Sequence, residues 1–279
     1  MAGRLTRRTK VTRFVPDGTA TVREDALAVE EPLEIRVRGT SFSVTMRSPG
    51  DDFDLVAGFL VSEGVIWSAD QLVSMRFCAG TDDNGLQTFN VIDAELSADT
   101  PPIDASLERR VYTSSSCGIC GTASIDAVHK AAHFGHLDDA TSWDHALLGA
   151  LPDRLREHQK VFDRTGGVHA AGLFDASGEL LCLREDVGRH NAVDKVVGWA
   201  LREGRLPLTG TALQVSGRAS FELVQKAHMA GIAVLAAVSA PSSLAVEHAE
   251  SAGLTLVGFS RGSGFNAYAG VHRIAPAAP

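Results

Sequence analysis

The sequence predicts an α/β protein in which a βαβαβ unit with a parallel sheet follows a smaller α+β region. Two observations support this prediction. Apolar, strand-like runs alternate with helical runs in the last third of the chain, and glycines stand where the helices should end. Short alternating runs joined by turn residues fill the first third. The 279 residues suffice for one large domain or two ordinary ones.

The last third of the chain carries the clearest alternation of strands and helices. Its predicted elements are, in order, strand Ala212–Val215, helix Phe221–Ala230, strand Ile232–Val238, helix Ser243–Ala252 and strand Leu254–Phe259. The carboxyl ends of parallel strands meet at one edge of a sheet, and in open α/β sheets ligands bind there. We therefore expect the loops after the three strands to lie together.

These three loops are small and polar, and they could hold a phosphate. Helix N-termini offer an anion unpaired backbone N–H groups and the positive end of the helix dipole. The candidate binding residues in the loops are Gly217, Arg218, Ser239, Ser242, Ser243, Phe259, Ser260, Arg261, Gly262, Ser263 and Gly264. Three ordinary turns are the alternative interpretation. Neither a Gly-x-Gly-x-x-Gly nor a Walker sequence is present to support a common dinucleotide enzyme or ATPase.

The first two thirds of the chain are predicted to alternate hairpins with helices. The predicted strands are Leu33–Val37, Phe42–Met46, Val73–Ala79, Leu86–Ile92, Arg110–Thr113, Val168–Phe174 and Glu179–Leu183. The predicted helices are one opened by Pro49–Asp52, one over Thr122–Phe134 and one over Asp144–Phe162 that starts or kinks around Pro152. We divide the chain into a flexible basic tail at 1–20, a smaller α+β region at 21–110 and an α/β domain at 111–279.

Composition and charge exclude several classes of protein. The formal net charge of −8 does not favour a nucleic-acid binder, although five basic residues and no acid stand in the first thirteen positions. That basic stretch is interpreted as a disordered tail, with docking to an acidic partner as the alternative. No secretory signal and no run of about 18 apolar residues is present, so we expect a cytoplasmic protein without a membrane span.

The pair Cys117 and Cys120 is the predicted reactive centre. Cys78 and Cys182 lie in apolar runs and are interpreted as small buried side chains, since four cysteines are too few for a disulfide framework. A thiol reacts as its thiolate, and its pKa falls at a helix N-terminus or beside a second cysteine. The predicted helix that follows the pair meets both conditions, and the neighbouring glycines leave room for a partner.

Several chemistries compete for this pair. A thioredoxin-like dithiol is less favoured because serine and glycine flank the cysteines. A structural zinc site lacks a second ligand pair at suitable spacing, and a zinc deaminase lacks an upstream His-x-Glu, so no metal is predicted. A thiolate that accepts and passes on sulfur, assisted by a second thiol, is the remaining interpretation.

Three further polar residues are candidates for the site. His169 begins a predicted strand after two glycines, and a buried structural histidine is an equal alternative there. Arg189 and His190 stand at the entrance of a predicted helix, where they could bind an anion or transfer a proton. Asn191 and Asp194, in the same stretch, are interpreted as helix caps.

Nine segments between about Glu30 and Arg273 match the motifs of one protein family. They are Glu30–Ile35, Pro49–Asp52, Gly58–Gly64, Ser115–Gly121, Thr165–Ala171, Glu185–Lys195, Val215–Glu222, Ser239–Ala245 and Gly258–Gly262. Taken together, these segments resemble the FdhD/NarQ family of formate dehydrogenase accessory sulfurtransferases.

This resemblance implies a function and a set of roles. It implies a cytoplasmic, dimeric protein with a cytidine-deaminase-like core. Such a protein takes persulfide sulfur from a cysteine desulfurase on Cys117, with Cys120 as the partner thiol. It passes the sulfur to the molybdenum (or tungsten) bis(molybdopterin guanine dinucleotide) cofactor for formate dehydrogenase. The family's cofactor-binding stretch corresponds to Phe259–Gly264, and GDP is the expected mimic. A cofactor chaperone without covalent chemistry and a dithiol oxidoreductase are the alternatives.

Overall fold

A computed structural model of the chain describes residues 5–78, 80, 88–102, 132–262 and 264–275. Cys117 and Cys120 lie outside the described residues, as do Ser263, the predicted strand Arg110–Thr113 and most of the predicted helix Thr122–Phe134. Among the described residues, no helix has both the length and the apolar character needed to span a membrane.

The basic N-terminal segment forms a strand, which corrects the expectation of a flexible tail. Strand β1 (Thr6–Phe14) pairs antiparallel with β2 (Ala20–Ala28) in a two-stranded sheet. Asp17 in the turn accepts a hydrogen bond from the Thr19 N–H at 2.8 Å. In this register Lys10 of β1 lies opposite Glu24 of β2, and Arg8 Nη1 lies 3.3 Å from the same carboxylate. Cross-strand pairing of opposite charges therefore makes a basic strand compatible with a hairpin.

A four-stranded sheet follows, with strand order β4-β3-β6-β5. Its strands are β3 (Glu31–Val37), β4 (Thr40–Arg47), β5 (Leu72–Phe77) and β6 (Val91–Leu96), and helix α1 (Asp52–Ser62) lies between β4 and β5 in sequence. The first predicted hairpin and the helix are confirmed. β5 and β6 pair antiparallel as predicted, but β6 starts at Val91 rather than Leu86. The predicted turn between them lies outside the described residues.

The remaining elements build the α/β part of the molecule. In order they are β7 (Trp143–Asp144), α2 (His145–Glu157), α3 (Lys160–Thr165), β8 (His169–Asp175), β9 (Leu180–Asp186), α4 (Arg189–Arg202), β10 (Thr211–Val215), α5 (Phe221–Met229), β11 (Val234–Ala237), α6 (Ser243–Ala252), β12 (Thr255–Arg261), β13 (Gly264–Ala269) and β14 (Ile274–Ala275). Short 3₁₀ turns occupy Ala69–Gln71 and Val271–Arg273.

The predicted helix over Asp144–Phe162 is two helices, and the break does not fall at the proline. Pro152 lies within α2. The Glu185 carboxylate accepts hydrogen bonds from the backbone N–H groups of Val161 and Phe162, each at 2.8 Å. This carboxylate satisfies donors in the first turn of α3 that have no partner within the helix, so a new helix begins there.

A six-stranded sheet with the order β13-β12-β11-β10-β8-β9 organises the second half of the molecule. Strands β10, β11 and β12 are parallel, and the other three are antiparallel to their neighbours. The βαβαβ unit is therefore confirmed. The more specific cytidine-deaminase-like arrangement stays a prediction.

Helices α1 and α4 join the N-terminal sheet to the six-stranded sheet. They cross where Gly58 meets Gly198, so closely that a Cβ on Gly58 would overlap the Asp194 carbonyl and one on Gly198 the Asp54 carbonyl. Only glycine permits this approach. One continuous cluster of buried apolar side chains extends across both sheets.

Candidate functional site

The three loops after the parallel strands meet at one edge of the six-stranded sheet. The Ser239 N–H donates to the Gly217 carbonyl at 3.2 Å, and the Phe259 N–H donates to the Ser239 carbonyl at 3.2 Å. The Ser242 N–H donates to the Ala219 carbonyl at 3.1 Å. The predicted gathering of the loops is confirmed. We call this part of the molecule the carboxyl edge; it comprises the loops after β10 and β11, the β12–β13 turn, the start of β8 and the start of α4.

The third of these loops is a tight hairpin rather than an open loop. Strand β12 continues to Arg261, which pairs with Gly264 at the start of β13, after a register shift that begins at Gly258. Phe259 lies in this irregularity with a φ of +53° and is 43% exposed. A left-handed backbone at a bulky residue costs roughly 1–2 kcal/mol and is a feature that clusters at ligand sites. An exposed aromatic ring held in this way could stack on a nucleotide base.

His169, Arg189 and His190 lie close together at the same edge. Strand β8 runs antiparallel to β10, so its first residue, His169, is placed beside the loop that follows β10. A Cβ on Gly217 would lie 3.6 Å from His169 Nδ1, which places the loop glycine against the imidazole ring. Burial, together with the positive charges of Arg189 and His190, holds the pKa of His169 below its usual value. His169 is therefore a neutral group near pH 7.

A buried ion pair fixes the start of α4. The Asp186 carboxylate lies 2.8 Å from Lys195 Nζ, and both side chains are almost completely buried. The same carboxylate accepts hydrogen bonds from the N–H groups of Ser48 at 3.0 Å and Gly188 at 2.8 Å. Because these bonds hold the residues on both sides of Val187, they set where Arg189 and His190 stand.

Asn191 and Asp194 are not helix caps, so that interpretation was wrong. The N-cap of α4 is Gly188. The Asn191 amide instead donates to the Met46 carbonyl at 2.7 Å and to Asp186 at 3.1 Å. Asp194 forms an ion pair with Lys226 of α5 at 2.7 Å. Both side chains tie α4 to neighbouring elements, since neither stands where the helix begins.

One residue of the site was missed by sequence reasoning. Glu222, in the first turn of α5, places its carboxylate 2.6 Å from His190 Nε2, and the two side chains are only 11% and 13% exposed. Burial pushes the pKa of Glu222 up, but the close contact with His190 and the charges of His190, Lys226 and Arg189 outweigh it. The pKa therefore stays below its usual value. An acid in the first turn of a helix at a ligand edge was the only signal available in the sequence.

The carboxyl edge holds several polar atoms without partners. Within the described part of the chain, Ser260 Oγ, Ser220 Oγ and Arg189 Nε are buried and make no hydrogen bond. The N-caps of α4 and α5 lack a side-chain hydrogen bond to the helix, whereas Ser242 caps α6. Since buried polar groups are normally satisfied, these atoms are consistent with a polar ligand bound at this edge.

The charge at this edge suits an anion. Arg218 and Arg261 are exposed, and neither they nor Arg189 form an ion pair with another described residue. No group of three or more His, Cys, Asp or Glu side chains in the described ranges could hold a metal ion. The arrangement could therefore bind phosphate groups through guanidinium and backbone N–H donors.

The two described cysteines differ in their burial. Burial raises the pKa of Cys182 to about 12, so this thiol stays protonated, in agreement with the prediction of a buried apolar role. Cys78 is only half-buried and follows the last residue of β5, so it is less buried than expected. Cys117 and Cys120, the predicted reactive pair, lie outside the described residues.

Comparison with known proteins identifies relatives over nearly the whole chain. The sulfur carrier protein FdhD of Streptomyces avermitilis is 59% identical over 98% of this chain and 97% of its own length. The protein of the same name from Streptomyces coelicolor is 57% identical over 98% of this chain and 97% of its own. That from Mycobacterium tuberculosis is 53% identical over 90% of this chain and 92% of its own.

A solved structure has the same overall fold. The crystal structure of a protein assigned as a formate dehydrogenase accessory protein from Desulfotalea psychrophila matches with a TM-score of 0.77 and 25% identity. The match covers 98% of this chain and all of that one. The family model described as the FdhD/NarQ family matches residues 28–275. The chain therefore belongs to the FdhD/NarQ family.

Proposed function

We propose that this protein is a cytoplasmic sulfurtransferase that carries persulfide sulfur on Cys117. It takes the sulfur from a cysteine desulfurase and passes it to the molybdenum bis(molybdopterin guanine dinucleotide) cofactor that formate dehydrogenase requires. Relatives named sulfur carrier proteins over nearly the full chain support the sulfur-carrying part. A tungsten cofactor of the same kind would be recognised in the same way, and a homodimer is the assembly we expect.

The carboxyl edge supports the choice of acceptor, and it is the observation that carries the proposal. The acceptor has two pyrophosphates and two guanines, so it needs cationic and N–H donors beside a flat apolar surface. Arg189, Arg218 and Arg261 supply cations without ion-pair partners among the described residues, and Phe259 supplies an exposed ring. The predicted loop serines and glycines bring backbone N–H groups to the same place.

The sulfur transfer can be written so that atoms and electrons balance. The Cys117 thiolate attacks the outer sulfur of the desulfurase persulfide, and the desulfurase cysteine leaves as a thiolate. The Cys120 thiolate then attacks the inner sulfur of Cys117, which releases hydrosulfide to the acceptor and leaves a Cys117–Cys120 disulfide. A cellular thiol reductant restores the pair. Neighbouring thiols suit this sequence because the second supplies the two electrons.

Mass spectrometry of the protein after incubation with a cysteine desulfurase and cysteine tests the carrier role. The wild-type chain should gain one sulfur atom, and Cys117→Ala should gain none. Cys120→Ala should accumulate the persulfide, because the resolving thiol is missing. Cys182→Ala is the matched control and should behave as wild type, because that thiol is buried and protonated. Sulfur gained equally by Cys117→Ala would disprove the carrier role.

Calorimetry with GDP tests the acceptor site and separates the alternatives. Binding of GDP with loss of affinity in Arg189→Ala supports the carboxyl edge as the site. GDP binding without sulfur loading would indicate a cofactor chaperone. Reduction of simple disulfides without GDP binding would indicate a dithiol oxidoreductase.

A further inference from the structure

We infer that the β1–β2 hairpin is an arm that docks on the body of a second copy of this chain. The hairpin arm is the range Thr6–Ala28, and the body is residues 30–279. This inference rests on the homodimer expected under the proposed function, because it names the surface that forms that dimer. The family model starts at residue 28, so its match leaves out all of the arm except the last residue.

The arm is attached to the body at its base and is exposed beyond it. A Cβ on Gly167 would lie 3.6 Å from the Ala28 side chain, and one on Gly50 would lie 3.7 Å from Leu5. Helix α3 contacts both strands. Towards the tip, residues 12–24 are all exposed except the half-buried Val15.

The tip receives no polar support from the rest of the molecule. Within the described part of the chain, the hydrogen bonds and ion pairs of residues 8–25 all stay inside the arm. A two-stranded hairpin on its own is at best marginally stable in water. A further surface that packs on the arm would therefore stabilise it.

The tip of the arm presents an apolar patch. Phe14 and Val22 are 72% and 71% exposed, which are the highest exposed fractions among the large apolar side chains of the described residues. The register pairs Phe14 with Ala20 and Thr12 with Val22, so the two large side chains are diagonal neighbours on one face. Adjacent apolar side chains on a projecting element are the kind of group that interfaces bury.

The charge of the arm is opposite to that of the body. Residues 1–29 contain six basic and three acidic residues, whereas residues 30–279 contain twenty basic and 31 acidic ones. The body of a second copy therefore attracts the arm. A second arm does not, because stacking two arms would bring Arg7, Lys10 and Arg13 of both copies together, and like charges destabilise such a contact.

The size of the arm favours a reciprocal exchange between two copies. Strands of nine residues are about 30 Å long and a pair of them is about 10 Å wide, so one face covers roughly 300 Å². In a two-fold dimer each copy both provides an arm and receives one, so each copy contributes roughly 600 Å². This area approaches the roughly 800 Å² per partner of a stable interface, whereas one arm docked alone provides less than half of it.

Sedimentation velocity of the full chain tests the arm as the dimer contact. Wild type should be a dimer at micromolar concentration, and Phe14→Ser/Val22→Ser should raise the dimer dissociation constant about hundredfold, because both apolar side chains of the contact are lost. The matched control is Val73→Ser/Val271→Ser, which changes side chains that are 63% and 61% exposed elsewhere and should stay dimeric. Far-UV circular dichroism should be the same in all of these variants, since the contact lies between copies.

Charge reversal tests the body as the docking surface. Lys10→Glu/Arg13→Glu makes the arm slightly acidic, like the body, and should raise the dissociation constant about tenfold at low salt. High salt should weaken the wild-type dimer and narrow its difference from this variant, because salt screens both the attraction and the repulsion. A wild-type dimer whose dissociation constant does not change with salt would contradict the charge argument and overturn the choice of the body.

Photo-cross-linking identifies what the arm touches. A benzoylphenylalanine at position 14, in a mixture of ¹⁵N-labelled and unlabelled chains, should link to residues 30–279 of the other copy, which mass spectrometry detects as mixed-isotope peptides. Links only within one chain, or only between two arms, would overturn the inference. Links only to an added cysteine desulfurase or cofactor-free formate dehydrogenase would also overturn it, because the arm would then have a different occupant.

The outcomes separate this inference from the proposed function. A dimer as tight as wild type in Phe14→Ser/Val22→Ser would overturn the inference and leave the homodimer and the sulfur transfer standing. A wild-type chain that is monomeric at every concentration would overturn both the inference and the expected homodimer. Sulfur loading by the desulfurase is measured separately and decides the carrier role in either case.

Discussion

At the scale of single residues, Phe259 is the clearest conflict between local preference and structure. Its φ of +53° belongs to the left-handed region, although its side chain is bulky and 43% exposed. An exposed ring buries little apolar surface, so packing of the ring does not offset the cost of this backbone conformation. A ring held for stacking on guanine would explain why phenylalanine stands there.

Replacing Phe259 separates the ring from the backbone. Phe259→Ala removes the ring and keeps the strain, whereas Phe259→Gly removes both. We expect both variants to lose GDP affinity by about tenfold, since base stacking is worth roughly 1–3 kcal/mol. The free energy of unfolding of the glycine variant should be about 1 kcal/mol higher than that of the alanine variant. Calorimetry and chemical denaturation measure the two quantities.

Two results would contradict this prediction, one in GDP binding and one in stability. Unchanged GDP affinity in both variants would remove the ring from the binding site. Equal stability of the two variants would show that the left-handed backbone carries no cost at this position.

The positions of single residues, rather than their roles, were predictable where they depend on local sequence. Arg189 and His190 stand out because polar donors at a helix entrance are visible in the chain itself. Glu222 was missed because its contact with His190 joins two helices that are far apart in sequence. Asn191 and Asp194 match a capping pattern, but tertiary contacts with β4 and α5 determine what they do.

At the scale of elements, the crossing of α1 and α4 depends on two glycines. Gly58→Ala and Gly198→Ala each place a methyl group against the backbone of the opposite helix. Overpacking of this kind costs typically about 1–3 kcal/mol, and here the partner is backbone that cannot move aside easily. We expect each variant to lower the free energy of unfolding by at least that amount, as measured by chemical denaturation.

Gly217→Ala is the matched control for these variants. A Cβ there would meet the His169 ring at 3.6 Å, an ordinary contact, and its φ does not require glycine. Its stability should stay within about 0.5 kcal/mol of wild type. Wild-type stability in Gly58→Ala would mean that the helices do not cross as closely as described.

Element prediction succeeded where a repeating pattern met a clear turn signal. The βαβαβ unit and the β3–β4 hairpin follow from apolar periodicity with glycine at the ends. The β1 strand was interpreted as a tail because its basic residues interrupt the alternation of apolar and polar side chains that is typical of a strand. Their acidic partners lie on β2, more than ten residues away. The break between α2 and α3 is absent from the prediction of one helix over Asp144–Phe162, started or kinked around Pro152, because the carboxylate that caps α3 comes from distant Glu185.

At the scale of the whole molecule, two half-buried histidines make stability depend on pH. His228 of α5 lies with Nε2 at 2.7 Å from the Gly135 carbonyl and Nδ1 at 3.3 Å from His248. Burial, with a smaller contribution from His136, lowers its pKa despite the opposing effect of the Gly135 bond. The pKa of His169 is lowered too. Both histidines bind a proton more readily in the unfolded chain than in the folded one. Their contribution to the free energy of unfolding is therefore fully present above about pH 6.5 and is lost as the pH drops.

Thermal unfolding between about pH 8 and pH 5 measures this dependence. The midpoint of wild type should fall as the pH drops below about 6.5. We expect a shallower fall in His228→Gln, which keeps a donor for the Gly135 carbonyl but cannot be protonated. His272→Gln, at an exposed position, should follow the wild-type curve. A wild-type slope in His228→Gln would exclude this histidine as a cause.

The carboxyl edge is assembled from chain segments that are far apart in sequence, from His169 to Gly264. A molecule that binds there holds the beginning of β8, the start of α4 and the β12–β13 turn at once, so the unfolded chain cannot bind it. Binding and folding are then thermodynamically linked, and a ligand at one hundred times its dissociation constant adds about 2.7 kcal/mol to the free energy of unfolding. The melting temperature of the protein thus becomes a direct reporter of occupancy. Nucleotides and their fragments can be ranked by this shift alone, without the desulfurase, the metal or the dehydrogenase.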